Sequence, residues 1–125
     1  MGRPAWTRDA SQIAFTVGHH RSGQRYGDTL QLYVAAGNGT NVRPLKGAPQ
    51  GSFDPSWSPG GTQLAFAIRQ AGETSIAVIG SDGKRLRKLA TSADPRDFFW
   101  TPDWSPDGAW ILFETSGIRG TGQRD

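Results

Sequence analysis

The chain has 125 residues, the size of one small domain, with 17 glycines, 8 prolines, 5 tryptophans and a formal net charge of +3. It contains no cysteine, which excludes a disulfide framework, thiol catalysis and thiolate metal sites. Because no apolar run reaches the ~20 residues of a membrane helix, we expect no membrane insertion.

The first element in chain order is a tryptophan-led turn that occurs three times. Its copies span residues 4–10, 55–61 and 102–108, and their tryptophans lie 51 and 47 residues apart. Each tryptophan is followed nine residues later by a phenylalanine within a short apolar run. Two landmarks that repeat in step indicate tandem structural repeats. The residues expected to serve this repeated structure are Trp6, Phe15, Trp57, Phe66, Trp104, Phe113, Gly61 and Gly108.

Short strands follow each of these turns, because the next apolar runs are rich in β-branched and aromatic residues and too short for helices. These runs are residues 13–17, 64–68 and 111–115. In the first two repeats a second pair of strands follows, joined by a glycine-containing turn. Its strands are 30–35 with 41–45 and 75–79 with 85–89. Each complete repeat is therefore expected to have four strands, labelled A to D in chain order.

Large and small residues alternate in the B strand of the second repeat, with Leu64, Phe66 and Ile68 in one row and alanines in the other. A strand with one solvent-exposed face would carry polar residues in the second row, so both faces are expected to be covered. Repeats of roughly 40 to 50 residues with four strands are typical of β-propeller blades. A β-sandwich would not explain the periodic tryptophan and phenylalanine. We therefore predict an all-β fold of tandem four-stranded antiparallel blades, about two and a half of them, in an incomplete ring.

The predicted blades divide the chain into four parts. Blade 1 is residues 1–45, with a short A strand and a long B–C loop at 18–29, and blade 2 is residues 46–89. A half blade with strands A and B occupies residues 90–115, and a polar tail occupies 116–125. Since a propeller needs at least about four blades, we expect a segment of a longer protein or an assembly of copies. The unpaired half blade favours the segment.

The A–B turns of the second and third repeats carry proline at the second place and glycine at the fourth. The first repeat has Ala10 at that fourth place. Alanine lacks the freedom for positive φ that glycine supplies, at a cost of about 1 kcal/mol. We therefore expect the first turn to differ in shape from the other two.

The third repeat reads Pro-Asp-Trp-Ser-Pro-Asp-Gly from Pro102 and continues to Ile111 and Phe113. With the apolar strand and Asp-Gly turn that follow in the second repeat, this pattern resembles the TolB-type, WD40-like β-propeller repeat. The resemblance spans nearly all of residues 3–115, with Gly60 in place of aspartate in the second repeat and the largest departure in the first. It implies a fold unit that serves many unrelated functions.

What the resemblance implies about function is protein or peptide recognition. TolB is a periplasmic partner of the peptidoglycan-associated lipoprotein, and similar repeats form the propellers that gate some prolyl-oligopeptidase-like serine peptidases. The resemblance to TolB implies a non-catalytic scaffold for protein or peptide binding, periplasmic or extracellular, without a cofactor. The alternative is an accessory propeller segment of such a peptidase whose catalytic domain is outside this chain.

In an up-and-down blade the A–B and C–D turns lie on one face and the B–C and D–A loops on the other. The second group includes the long loop at 18–29 and the connection at 90–96. Because long loops on a rigid scaffold commonly carry function, we expect a partner to bind the second face. A solvated hairpin loop and a turn with local ion pairs are the alternatives for these segments. The candidate contact residues are His19, His20, Arg21, Arg25, Tyr26, Asp94, Arg96 and Asp97.

No catalytic signature accompanies the repeats: there is no Gly-x-Ser-x-Gly elbow and no His-Glu-x-x-His motif. Asp54, Asp103 and Asp107 stand at repeat or turn positions, where capping explains them. The adjacent histidines at 19 and 20 would point to opposite sides of a strand and so suit one metal ion poorly. We expect neither catalysis nor a metal site in this chain.

Two further groups of residues have structural interpretations. The basic run at 84–88 follows an Asp-Gly turn and is expected in an edge strand, where charges oppose aggregation. Because no nucleic-acid signature accompanies the run, nucleic acid binding is not expected. Trp57 and Trp104 are expected between blades, whereas the aromatic run at 98–100 either packs between blades or lines a central channel.

Overall fold

The computed structural model of the chain describes residues 4–18 and 30–116, and all regular structure in these residues is β-strand. The strands are β1 (Ala5–Trp6), β2 (Gln12–Gly18), β3 (Leu30–Ala36), β4 (Arg43–Pro44), β5 (Ser52–Trp57), β6 (Gln63–Gln70), β7 (Glu73–Gly80), β8 (Arg87–Ser92), β9 (Phe98–Trp104) and β10 (Ile111–Ser116). These two stretches of chain contain no helix of the length and apolarity that crossing a membrane requires.

The described strands form three antiparallel sheets in which neighbours in the chain are also neighbours in the sheet. The first sheet has the order β1-β2-β3-β4, the second β5-β6-β7-β8, and β9 pairs with β10. This is the up-and-down order of propeller blades. The predicted fold class is confirmed: two four-stranded blades are followed by two strands of a third. We call the three sheets blade 1, blade 2 and blade 3.

The strand boundaries depart from the predicted ones in the D strands. β4 is reduced to Arg43–Pro44, and β8 runs over Arg87–Ser92 instead of 85–89. Arg85 has φ 64, in the left-handed region, and β8 pairs with β7 only from Arg87 onwards. Among the described strands β8 pairs only with β7, so its basic residues lie on an edge strand.

The three A–B turns share one hydrogen-bonding pattern. The residue after each tryptophan is Thr7, Ser58 or Ser105, and its N–H donates to the carbonyl oxygen five residues further along. Its hydroxyl oxygen accepts the N–H of that same distant residue, at 3.0 to 3.1 Å. Each turn is therefore closed by a side-chain bond as well as by the backbone.

The prediction that the first turn differs in shape is wrong. Ala10 has φ 62, close to the φ of 75 at Gly61 and Gly108, and its N–H makes the same bond to the carbonyl three residues back. Asp9 Oδ1 accepts the Ser11 N–H at 3.0 Å and the Ser11 hydroxyl at 2.7 Å. The hydrogen bonds of this turn, including the Ser11 hydroxyl bond that neither other turn has, offset the roughly 1 kcal/mol that a left-handed alanine costs.

Blade 2 is packed on both faces. On one face the bulky row of Leu64, Phe66 and Ile68 forms a core with residues of blade 1, among them Ala14 and Leu32. On the other face Ala67, Phe53 and Ile76 belong to a second core, which includes β9 and β10 residues. Complete burial of a leucine, isoleucine or phenylalanine is worth about 1.5–3 kcal/mol, so these rows supply most of the attraction between blades.

Tryptophan indoles connect successive blades. Trp57 Nε1 donates to the carbonyl oxygen of Ala5 in blade 1 at 3.0 Å, and Trp104 Nε1 donates to that of Ser56 in blade 2 at 2.9 Å. Each acceptor is the residue directly before the tryptophan of the preceding blade. Trp57 is buried and Trp104 half-buried, whereas Trp6, against which no described blade packs in this way, is 52% exposed.

Candidate functional site

The face predicted to bind a partner carries the B–C and D–A loops. Five of the predicted contact residues lie outside the described residues, namely His19, His20, Arg21, Arg25 and Tyr26. Their role in binding stays a prediction. The D–A loop between β8 and β9 is described, and it contains Asp94, Arg96 and Asp97.

Asp94 and Arg96 form an ion pair at the surface of the D–A loop. Arg96 Nε donates to Asp94 Oδ1 at 3.1 Å and Nη2 donates to Oδ2 at 2.8 Å, a two-point contact that fixes the plane of the guanidinium. The hydrogen bonds and charge of Asp94 raise the pKa of Arg96. The Arg96 side chain is 53% exposed, so the pair presents an oriented charged group to solvent.

Asp97 lies buried beneath this ion pair, with 1% of its surface exposed. Its Oδ2 accepts the Ser92 hydroxyl at 2.6 Å, and its carbonyl oxygen accepts Arg69 Nη1 at 3.0 Å. The Arg69 guanidinium also lies 4.7 Å from the centre of the Phe98 ring, within the range of a cation–π contact. Asp97 thus supports the loop and connects it to the B strand of blade 2.

The aromatic run at the start of β9 packs between blades 2 and 3. The Phe98 ring meets Phe53 edge-on at 6.1 Å and Trp100 edge-on at 5.3 Å, and Phe99 meets Phe113 at 5.1 Å between centroids. Such separations lie in the favourable range for aromatic pairs. All three residues of the run are half-buried and serve the core between blades.

The A strands of blades 2 and 3 contain the same bulge, three residues before the tryptophan. Asp54 has φ 56 and Thr101 has φ 54, and the pairing register shifts at both places. Each bulged N–H finds a side-chain acceptor in the blade before it. The Asp54 N–H donates to Thr16 Oγ1 and the Thr101 N–H donates to Asp54 Oδ2, both at 3.2 Å. The bulges therefore join each A strand to the preceding blade.

Asp54 is a buried carboxyl group with one oxygen that has no hydrogen-bond partner among the described residues. The residue is 8% exposed, and Oδ1 is the unpaired atom. Burial raises the pKa of Asp54, the bond from the Thr101 N–H opposes that rise, and the charge of Glu114 adds to it. Within residues 4–18 and 30–116, no three acidic, histidine or cysteine side chains come together as a metal site would require.

The face of the A–B turns carries two open grooves. The first has a volume of about 260 Å³ and is lined by the three repeat tryptophans, Pro59, Pro106, the serines of two turns and Arg8. The second, of about 370 Å³, lies between the first two A–B turns and also contains Arg8 and Pro59. Arg8 was not among the residues expected to contact a partner. Its signal in the sequence is the arginine at a turn position where the other two repeats have proline.

No family model matches the chain. It is 30% identical over 81 residues, 65% of its length, to the Tol-Pal system protein TolB of Sodalis glossinidius. It is 34% identical over 92 residues, 74% of its length, to the TolB of Anaeromyxobacter dehalogenans. A solved putative TolB from Agrobacterium tumefaciens shares the fold over 92% of the chain, with a TM-score of 0.66 at 20% identity. The chain has the TolB-type β-propeller fold.

The chain is also similar to proteins named as peptidases. The uncharacterized peptidase YuxL of Bacillus subtilis is 32% identical over 115 residues, 90% of the chain. The propeller domain of the Trilobed protease from Pyrococcus furiosus has the same fold over 90% of the chain, with a TM-score of 0.66 at 13% identity. The relatives named here thus fall into two groups with different names, TolB proteins and peptidases.

The matches cover only part of each relative. The chain spans 17 to 19% of the length of the three curated relatives and 33 to 38% of the two solved chains. In every one of these proteins the matched region is therefore a minority of the whole.

Proposed function

We propose that the chain is a non-catalytic β-propeller scaffold that binds a protein or a peptide through its B–C and D–A loop face. The observation that carries this proposal is the surface ion pair of Asp94 and Arg96 on a loop supported by the buried Asp97. Asp94 uses two of the five guanidinium N–H donors, which leaves the others for a partner. The TolB proteins, similar to this chain in sequence, are named as part of a Tol-Pal system, which supports a role in protein association.

Preorganisation gives this face its physical advantage in binding. A side chain whose geometry is already fixed loses less conformational entropy on association, and immobilising a free one costs about 0.5–1.5 kcal/mol. Arginine and tyrosine are enriched among residues that dominate binding energy, and the loop at 18–29 carries both types. The proposal therefore combines the ordered D–A loop with the long loop at 18–29, which the blade order assigns to the same face, as one recognition surface.

The test uses the purified peptidoglycan-associated lipoprotein, Pal, as the probe in titration calorimetry with the full chain. Replacing residues 19–26 by a short glycine-containing turn is expected to leave the circular dichroism spectrum unchanged and to abolish Pal binding. Arg96→Gln is expected to weaken binding about tenfold, as loss of a charged hydrogen bond does. Unchanged Pal binding by the loop variant would contradict the proposed site, and no binding by the wild type would favour the second function below.

The second candidate function is an accessory propeller segment of a serine peptidase whose catalytic domain lies outside this chain. The similarity to the uncharacterized peptidase YuxL over 90% of the chain favours it. A hydrolase domain encoded in the same gene, together with hydrolysis of peptide p-nitroanilides by the complete gene product, would establish it. In both cases we expect the 125-residue chain alone to hydrolyse no peptide or ester substrate, and measurable turnover would contradict the non-catalytic role.

A further inference from the structure

Arg8 is an exposed cation on the A–B turn face, and it makes no hydrogen bond or ion pair through its side chain to any other described residue. The ion pairs found in residues 4–18 and 30–116 join Lys88 to Glu73 and Arg96 to Asp94. Arg8 occupies a place where turn chemistry favours proline, as at Pro59. Its charge is therefore not explained by the fold around it.

The neighbouring carboxylate of Asp9 accepts hydrogen bonds from its own turn through Oδ1. Asp9 Oδ1 accepts the Ser11 hydroxyl at 2.7 Å, the Thr7 hydroxyl at 2.9 Å and the Ser11 N–H at 3.0 Å. These bonds, the Ser11 hydroxyl first among them, lower the pKa of Asp9. No ion pair joins Asp9 to Arg8 among the described residues, so the Arg8 guanidinium is available to a carboxylate that comes from outside the chain.

The first groove beside Arg8 has proline and tryptophan rings in its walls, together with Ser58 and Ser105. The rings of Pro59, Pro106 and the half-buried Trp104 line the first groove across successive blades. The turns that carry these rings are closed by the Ser58 and Ser105 hydroxyls, so the walls are fixed before a ligand arrives. Grooves lined by aromatic rings bind extended proline-rich segments, because the polyproline II backbone is already ordered and presents its rings to the walls.

We propose that the groove at Arg8 binds an extended acidic peptide containing proline, with a carboxylate on the Arg8 guanidinium and proline rings against Pro59, Pro106 and Trp104. This rests on the proposed function in so far as the chain is a peptide-binding scaffold, but it assigns a second site on the opposite face. Arginine suits the role because its planar fork matches a carboxylate at two points. The peptide would thus lie across the A–B turns of the three blades.

The probe is an N-acetylated, C-amidated hexapeptide of alternating proline and glutamate, titrated into the ¹⁵N-labelled full chain and followed by NMR. We expect saturable shifts of the Arg8 Nε–H and Trp104 indole signals. Arg8→Gln should weaken the peptide's Kd about tenfold, the effect of one charged hydrogen bond. The matched control Arg87→Gln removes the same charge from the exposed edge strand β8 and should leave the Kd within twofold. A hexapeptide with glutamine in place of glutamate should bind about tenfold more weakly than the acidic one.

Three results would overturn the site: equal affinity of Arg8→Gln and wild type, absence of saturable shifts, or shifts confined to the D–A loop around Arg96. The first two results concern protein that is expected to be folded, because Arg8 is exposed and its replacement by glutamine removes no described contact. If the wild-type chain binds Pal but not the hexapeptide, the Arg8 site is refuted and the proposed loop-face function stands. Peptide binding at Arg8 without Pal binding would refute the proposed loop-face function and leave this site standing.

Discussion

Ala10 occupies the turn position at which the other repeats have glycine, with φ 62. Glycine populates this backbone region without steric cost, so Ala10→Gly is expected to stabilise the chain by about 0.5–1 kcal/mol. The measurement is urea unfolding followed by tryptophan fluorescence. Gly61→Ala is the matched reverse change. A Cβ there would meet Thr7 Cγ2 at 3.5 Å, an ordinary contact, so its expected loss of about 1 kcal/mol is conformational. If neither Ala10→Gly nor Gly61→Ala changes the free energy of unfolding, the left-handed backbone at these turn positions is contradicted.

Asp54 is expected to make the stability of the chain depend on pH. Because burial raises its pKa, its stabilising contribution is complete below the ordinary value of 3.8 and is lost as the pH rises through the raised value. Asp54→Asn keeps an oxygen for the Thr101 N–H without a charge, and asparagine tolerates positive φ. We therefore expect this variant to need more urea than wild type to unfold at pH 7, with a difference that shrinks as the pH approaches 3.8.

The control for Asp54 is its replacement by alanine, which removes the acceptor of the part-buried bond from the Thr101 N–H. This change should destabilise the chain by about 1–3 kcal/mol relative to Asp54→Asn at pH 7 and at pH 4. If Asp54→Asn is less stable than wild type at pH 7, the prediction is contradicted. The charged carboxylate would then stabilise the folded chain despite its burial and unpaired oxygen.

Single residues also show what the sequence could predict and what it could not. The aspartates at repeat positions were expected as caps, and Asp54 does cap an N–H, but in the next blade. That partner depends on bulges at Asp54 and Thr101, non-glycine residues at positive φ that local propensity disfavours. The Ala10 turn shows the same limit, because several weak hydrogen bonds outweigh one backbone preference of similar size.

The tryptophans of the A strands connect successive blades. Trp57→Phe deletes the indole donor to the Ala5 carbonyl and part of a buried ring, with an expected loss of about 1–3 kcal/mol. Trp110→Phe is the control, since Trp110 is 72% exposed and its change should remain within about 0.5 kcal/mol. Urea unfolding followed by circular dichroism measures both. Equal effects of the two replacements would show that Trp57 does not join the blades.

The elements were predictable where periodicity and turn chemistry agree. The B and C strands of blade 2 follow the expected runs closely, because alternating large and small residues and an Asp-Gly turn fix their positions. The D strands shift because an edge strand has one pairing partner and weak sequence constraints. The D–A loop is shorter than expected for the same reason, with residues 90–92 in β8.

The outer faces of the stack remain apolar. Trp6 is 52% exposed on blade 1, and Trp110 and Leu112 are 72% and 68% exposed on blade 3. Leu112 occupies the position of the buried Ala65 in blade 2, so the outer face of blade 3 carries a large apolar side chain where blade 2 has a small one. Because exposed apolar patches promote association, we expect a light-scattering mass above 13.5 kDa for the isolated chain, decreasing in Leu112→Glu. A monomer of 13.5 kDa at every concentration would contradict this expectation.

At the scale of the molecule, the two faces of the stack differ in how well the sequence anticipates them. The long loops in the sequence predicted partner binding on the face of Asp94 and Arg96, and the structure describes the ion pair of these two residues. The opposite grooves depend on turns from three repeats that are distant in the chain and close in space, so no single motif indicates them. Arg8 becomes a candidate only when the turns are placed side by side.

NMR of a chain labelled at its tryptophan indoles examines the stacking of blades itself. If the blades stack as described, the Trp57 indole proton shows nuclear Overhauser contacts to residues 5 and 6, and the Trp104 proton shows them to residues 56 and 57. Both should exchange slowly with solvent, while the Trp6 and Trp110 indoles exchange quickly. Contacts of the Trp57 and Trp104 indoles confined to their own sheets would contradict the propeller stack.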